Sequence, residues 1–141
     1  MSAGWMPLPQ RRRPNAAEQA VLDRLVSSVD CPALTAQAES AWVTGVCECG
    51  CPSVLLSSDA PALTPETMSR LSSLGRADWF GIDYTKVDAS VPPDPSTGEV
   101  RMLQVIVHVT DGSLDNLEIY AGDGIAVDIP SPESLDEISI T

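Results

Sequence analysis

Aromatic side chains are scarce in this chain: three tryptophans, two tyrosines and one phenylalanine among 141 residues. The core must therefore be mostly Val, Leu and Ile. His108 is the only histidine, so any histidine chemistry has to pass through one ring. No apolar run approaches the ~20 residues needed to cross a bilayer. The P-loop, the G-x-G-x-x-G fingerprint and the G-x-S-x-G elbow are all missing, which removes the usual signatures of nucleotide binding and of hydrolases. Positive charge is also short. Eight basic residues face twenty acidic ones, for a net charge of −12 and a pI near 4.1.

That deficit is unevenly spread. Residues 1 to 50 carry four basic and five acidic side chains, and residues 51 to 141 carry four basic and fifteen acidic. Such a surface repels phosphates, so nucleic-acid binding is not expected, whereas a basic partner would be attracted. Solubility alone is the plainer use of the same charge.

A chain of 141 residues fits one domain and can bury a core without covalent staples. Residues 1–13 hold two prolines, a glycine and three arginines without periodicity and are expected as a flexible arm. Residues 14–141 are expected as one domain. No apolar segment follows Arg11-Arg12-Arg13, so no export signal is expected and the compartment reads as cytoplasmic. Thiols there stay reduced, which favours metal or free thiols over disulfides.

Helix signals are clear in the first third. Asn15 can cap and Glu18 can complete a capping box. Val21, Leu22, Leu25, Val26 and Val29 then form a helical stripe that Cys31-Pro32 ends. A short helix over Ala33 to Glu39 follows. Trp42 to Val46 and Ser53 to Ser57 read as paired strands. Thr64-Pro65-Glu66 starts another helix, with Met68, Leu71 and Leu74 as its stripe and Gly75 as its stop. Trp79 to Val87 alternates as a third strand, Asp88 to Glu99 is a loop, and Val100 to Thr110 and Leu114 to Ala121 are the last two strands. A turn at Gly122-Asp123-Gly124 and a helical turn at Ser131-Pro132-Glu133, carrying Leu135 and Ile138, complete the chain. The fold class is α+β: N-terminal helices on one face of a mostly antiparallel sheet of about five strands.

The junction Thr110-Asp111-Gly112 poses a register problem. A two-residue Asp-Gly loop would set Val105 against Glu118 and Val107 against Asn116, mixing polar groups into the apolar face. A three-residue loop with Gly112 left-handed instead aligns Leu103, Val105 and Val107 with Leu117 and Ile119.

Four cysteines are the most chemically suggestive residues. Cys47, Cys49 and Cys51 alternate, and Cys31 lies upstream. Structural zinc wants four N or S ligands with sulfurs about 3.8 Å apart. In a straight strand Cys47 and Cys51 would be about 13 Å apart, so sharing an ion requires a sharp turn at Gly50. The spacing fits no common zinc motif, and no helix follows to activate a CxC thiol pair. The expectation is therefore no cofactor, with the cysteines as small buried fillers at a strand corner. Zinc on Cys31, Cys47, Cys49 and Cys51 is the alternative. His108 is expected on an outward face near Asn116 and Asp115, as a structural or exposed residue. Asp111, Asp115, Asp123 and Asp128 lack the spacing of a calcium loop.

Two segments, CECGCPSVLL at Cys47 to Leu56 and DGSLDNLEIY at Asp111 to Tyr120, together resemble a group of small uncharacterised actinobacterial proteins. Those read CGCPS before an apolar strand and later DG-x-L-x-x-LE-[VI]-Y. Cys47, Cys49, Cys51, Gly112, Leu117, Glu118 and Tyr120 match the pattern, and Cys31 lies outside it. The second segment alone is also similar to bacterial toxin-immunity families. The resemblance implies an α+β fold and brings no catalytic residues. With the charge layout, it suggests a non-enzymatic domain that binds a basic protein, in the manner of an immunity-type inhibitor, through Asp111, Asp115, Glu118, Tyr120 and Asp123. A metal- or thiol-dependent protein centred on Cys47, Cys49 and Cys51 is the rival expectation.

Overall fold

The computed structural model describes residues 4–87, 93–122, 125 and 127–141. The chain opens with strand β1 (Trp5–Arg12), followed by helices α1 (Ala16–Ser27) and α2 (Pro32–Glu39). Strands β2 (Ala41–Cys47) and β3 (Val54–Ser58), helix α3 (Pro65–Leu71) and strands β4 (Trp79–Val87), β5 (Met102–Thr110) and β6 (Ser113–Tyr120) come next. A 3-10 turn (Pro132–Ser134) and the short strand β7 (Ser139–Ile140) end it. The strands form one sheet in the order β1-β2-β3-β6-β5-β4-β7, and every paired neighbour is antiparallel. The mixed helix-and-sheet class agrees with the sequence reading. The strand count does not: there are seven strands rather than about five, and the first helix follows a strand.

The two extra strands are the ones that local pattern cannot reveal. β1 occupies the stretch expected as a flexible arm, and it is mostly exposed, so no alternation marks it. Pro7 and Pro9 suit an edge strand, because an edge does not need every N–H. Long-range contacts hold it. Trp5 and Met6 pair with Cys47 and Val46. Farther along, the Arg11 and Arg13 guanidinium groups lie 3.8 and 3.6 Å from the Trp42 ring centre, a cation–π arrangement. Trp42 donates its indole N–H to Asp59 at 2.8 Å. At the far edge β7 contributes only Ser139 and Ile140, paired with Asp83 and Ile82.

Helix α1 forms as its sequence dictates. The Asn15 side chain accepts the Glu18 N–H at 2.8 Å, and the Glu18 carboxylate accepts the Asn15 N–H at 2.9 Å. Val21, Leu22, Leu25 and Val26 are buried along one side, each contributing about 1.5–3 kcal/mol by leaving water. They join the inward residues of the sheet, among them Val43, Val105, Val107, Phe80, Ile82 and Ile119, in one core. The other end of the chain closes over α1: Leu135 is fully buried and its carbonyl accepts from Arg24 at 2.8 Å. Helix α3 is capped by Thr64 as expected, but it ends at Leu71, before Leu74 can join its stripe. Leu74 is therefore exposed.

The β5–β6 hairpin resolves its register differently from the expectation. Val105 does face Ile119 and Val107 faces Leu117, as the apolar pattern requires. The loop, however, is the two-residue Asp111-Gly112, both with positive φ, 51° and 88°, which suits a type I′ turn. The parity is restored by a bulge: Val109 faces Leu114 while His108 faces Asn116, leaving Asp115 as the extra residue. The turn is buttressed from the helical side. The fully buried Gln37 donates to the carbonyls of Gly112 at 2.7 Å and Pro61 at 3.1 Å, and its amide oxygen accepts the Leu114 N–H at 2.9 Å. Gln37 thus links α2 to the hairpin with both ends of its amide satisfied.

Candidate functional site

The end of β2 turns sharply before β3 begins, and this corner gathers three cysteines. The Gly50 N–H donates to the Cys47 carbonyl at 3.3 Å, and Gly50 sits at φ +86° with open space where a side chain would be. That left-handed residue folds Cys51 back toward Cys47. The Cys47 and Cys49 sulfurs are 3.0 Å apart. All three sulfurs lie within 4.8 Å of one another, the one such group of three or more potential ligands among the described residues. The straight-strand separation that argued against a shared ion does not occur.

Each thiol has a distinct setting. The Cys51 N–H points to the Cys49 sulfur at 3.4 Å. Cys51 itself is buried, and its thiol donates to the Ser53 hydroxyl at 3.3 Å. Ser53 in turn accepts the Ile119 N–H at 2.8 Å and donates to the Ile119 carbonyl at 3.2 Å, which pins the corner to β6. Cys47 and Cys49 are half-buried. Burial pushes the Cys47 thiol up, and hydrogen bonding with Cys49 and Cys51 pushes it further, to about 12. It is therefore protonated at neutral pH and is not the thiol of the cluster that attacks an oxidant first. Ser53 was missed by sequence reasoning. Its only signal was a small polar residue opening an apolar strand directly after Cys51-Pro52.

Cys31 does not join the group. It precedes the first turn of α2, where its carbonyl accepts from Leu34 and Thr35 at 3.1 Å, and its side chain belongs to the apolar core. The four-cysteine zinc site is thereby corrected to three sulfurs. Soft metals accept such a donor set, and three protein ligands leave one coordination position open. The residues present fit a thiophilic ion.

The described residues among those expected to bind a partner are spread along the β5–β6 hairpin. Asp111 is exposed at the hairpin tip, and its N–H donates to the Asp78 carbonyl at 2.9 Å. Asp115 is exposed on the bulge and accepts from the Asn116 amide at 2.7 Å. Glu118 and Tyr120 lie farther along β6, half-buried on the sheet face opposite the helices, with Tyr120 about 17 Å of strand from Asp115. Asp123, and with it most of the expected Gly122-Asp123-Gly124 turn, lies outside the described residues.

His108 meets Glu118 rather than Asp115, because the bulge carries Asp115 out of register. Its Nε2 is 3.0 Å from a Glu118 carboxylate oxygen, and its Nδ1 accepts the Trp79 indole N–H at 3.1 Å. An indole nitrogen can only donate, so Nδ1 is the acceptor and Nε2–H points to Glu118. With both ring nitrogens engaged, His108 braces the sheet face and has no nitrogen left for a substrate. Among the described residues, no helix is long and apolar enough to cross a membrane. Comparison of the chain with protein-family models, curated proteins and solved structures yields no match.

Proposed function

We propose that this chain binds a soft, thiophilic cation at Cys47, Cys49 and Cys51. The observation that supports this reading is the convergence of three sulfurs within 4.8 Å at one turn. An all-sulfur donor set favours Zn(II) or Cu(I) over hard cations. Binding displaces thiol protons, so affinity falls as pH falls. Ser53 holds the Cys51 side chain in place, and the half-buried Cys47 and Cys49 give an ion its way in. Co(II) titration of the reduced protein tests the reading through thiolate-to-metal charge-transfer absorption. One equivalent is expected for the native chain and for Cys31→Ser, with loss of the band in Cys51→Ser. A flat spectrum for the native chain, or a band that survives Cys51→Ser, would refute it.

The acidic surface supports a second reading, docking of a basic protein. Asp111 and Asp115 are exposed, and no cation pairs with either among the described residues. Capture of a basic protein such as lysozyme is expected to weaken, and to lose salt dependence, when both are changed to lysine. Unchanged capture by that variant sinks the docking reading without touching the cation site.

A further inference from the structure

We infer that Cys47 and Cys49 form a reversible disulfide that dismantles the three-sulfur cluster. What the disulfide disables rests on the cation-binding reading; the covalent step itself stands on the geometry of the corner. The two sulfurs are 3.0 Å apart, closer than the ~3.8 Å of two thiolates on one tetrahedral zinc. A covalent S–S bond is about 2.0 Å long, so the remaining approach is about 1 Å. Residues two apart in a turn have Cα atoms about 5–7 Å from one another, which overlaps the 4.4–6.8 Å window of disulfides. Both side chains are half-buried rather than sealed, so a small oxidant reaches them.

The third sulfur is held back from the reaction. Cys51 is 9% exposed and its thiol is bonded to the Ser53 hydroxyl, which is itself doubly tied to Ile119. Pro52 follows it directly and stiffens the backbone there. Cys49 is suited to react first, because the Cys51 N–H points at its sulfur and favours charge developing there.

With hydrogen peroxide as oxidant the step balances. The Cys49 thiolate attacks one peroxide oxygen, the O–O bond breaks, and the departing hydroxide takes up the proton released by the thiol and leaves as water. Cys49 is then a sulfenic acid. The Cys47 sulfur attacks the Cys49 sulfur, the S–S bond forms and the S–O bond breaks. The oxygen leaves as a second water with the Cys47 proton. The two thiols lose two electrons, which the peroxide gains. A dithiol reductant reverses the pair by exchange. Closing it leaves one of the three cluster thiols.

The test uses the full chain, reduced, metal-free and treated with one equivalent of hydrogen peroxide. The intact mass is expected to fall by about 2 Da. Sequential alkylation under denaturing conditions, before and after reduction, should place the lost thiols at Cys47 and Cys49, with Cys31 and Cys51 still free. Cys51→Ser should form the same pair, and dithiothreitol should restore all four thiols of the native chain. A pair that includes Cys51, a disulfide between two chains, or a sulfinic acid on one cysteine would overturn the inference. Co(II) titration separates it from the function proposed above. A reduced chain without a charge-transfer band defeats the cation reading while the mass result still decides the disulfide. A band that persists in the oxidised chain defeats the dismantling.

Discussion

Alanine at Gly112 is expected to destabilise the chain by about 3–5 kcal/mol, against about 1–2 kcal/mol for alanine at Gly50. The two glycines have nearly the same positive φ, +88° and +86°, so the penalty of about 1–2 kcal/mol for a side chain at positive φ is common to both. Their surroundings differ. A Cβ at Gly50 would meet nothing within 4 Å. At Gly112 it would run into the Leu63 carbonyl oxygen and lie 3.1 Å from Leu63 N and 3.2 Å from the Ala62 Cβ. Two of those atoms are backbone, so no rotamer relieves the clash. Backing the turn away stretches the Leu63 N–H bond to Gly112, now 2.8 Å, and the Gln37 bond to the same carbonyl, now 2.7 Å. Each contributes about 1 kcal/mol net. Equilibrium urea unfolding of the reduced, metal-free variants reads the difference, provided the m-values agree. Losses within about 0.5 kcal/mol of each other, the ordinary range of an uninvolved surface change, would refute the argument that the hairpin is wedged against the loop before α3.

The remaining predictions concern Glu18, which is 4% exposed and receives both Arg12 guanidinium nitrogens, at 2.7 and 3.1 Å. Burial alone would push its carboxyl up. The hydrogen bonds from Arg12 and the Asn15 N–H, together with the guanidinium charge, reverse that and hold it below the ordinary carboxylate range. Glu18→Gln should therefore cost about 1–2 kcal/mol near pH 7, a figure reduced because 41% of the Arg12 side chain faces solvent. Because the folded carboxyl is depressed, its contribution is complete above the unfolded value of about 4.3 and drains away as pH falls through the folded one. The gap between native chain and variant should thus close on acidification below about pH 4.3 in urea titrations. A gap that stays constant from pH 7 to pH 3 would contradict the assignment.

What could be read from the sequence was what is decided locally. The Asn15–Glu18 capping box, the α1 stripe and the Thr64 cap all depend on neighbours a few residues away, and all three form. β1 depends on Trp42, Cys47 and Glu18 instead, and its exposed, proline-bearing sequence carries no period to announce them. β7 is two residues long and below the reach of any pattern. In the hairpin, apolar alternation identified the partners of Val105 and Val107, but a longer loop and a bulge shift parity equally. Leu114 separates the two: a longer loop would set it opposite Thr110, whereas the bulge sets it opposite Val109 in the core. The cysteine spacing disclosed the thiols. It could not disclose their approach, which hangs on the φ of Gly50, nor the exclusion of Cys31, which the packing of α2 decides.

Between its two edges the sheet has one narrow joint, near its middle. β3 and β6 are paired through Val54 with Leu117 and Leu55 with Asn116, while β4 and β5 share a ladder running from Trp79–Thr110 to Val87–Met102. Strands β1 to β3 belong to one leaf and β4 to β7 to the other, and the hydroxyl of Ser53 rivets them beside the cysteine corner through its two bonds to Ile119. Cys51 hangs on that same rivet. An ion that draws in the Cys51 sulfur therefore tugs on the seam between the leaves, whereas a bond between Cys47 and Cys49 leaves the rivet untouched. Two chemical states of one corner would differ in whether the rest of the molecule feels them.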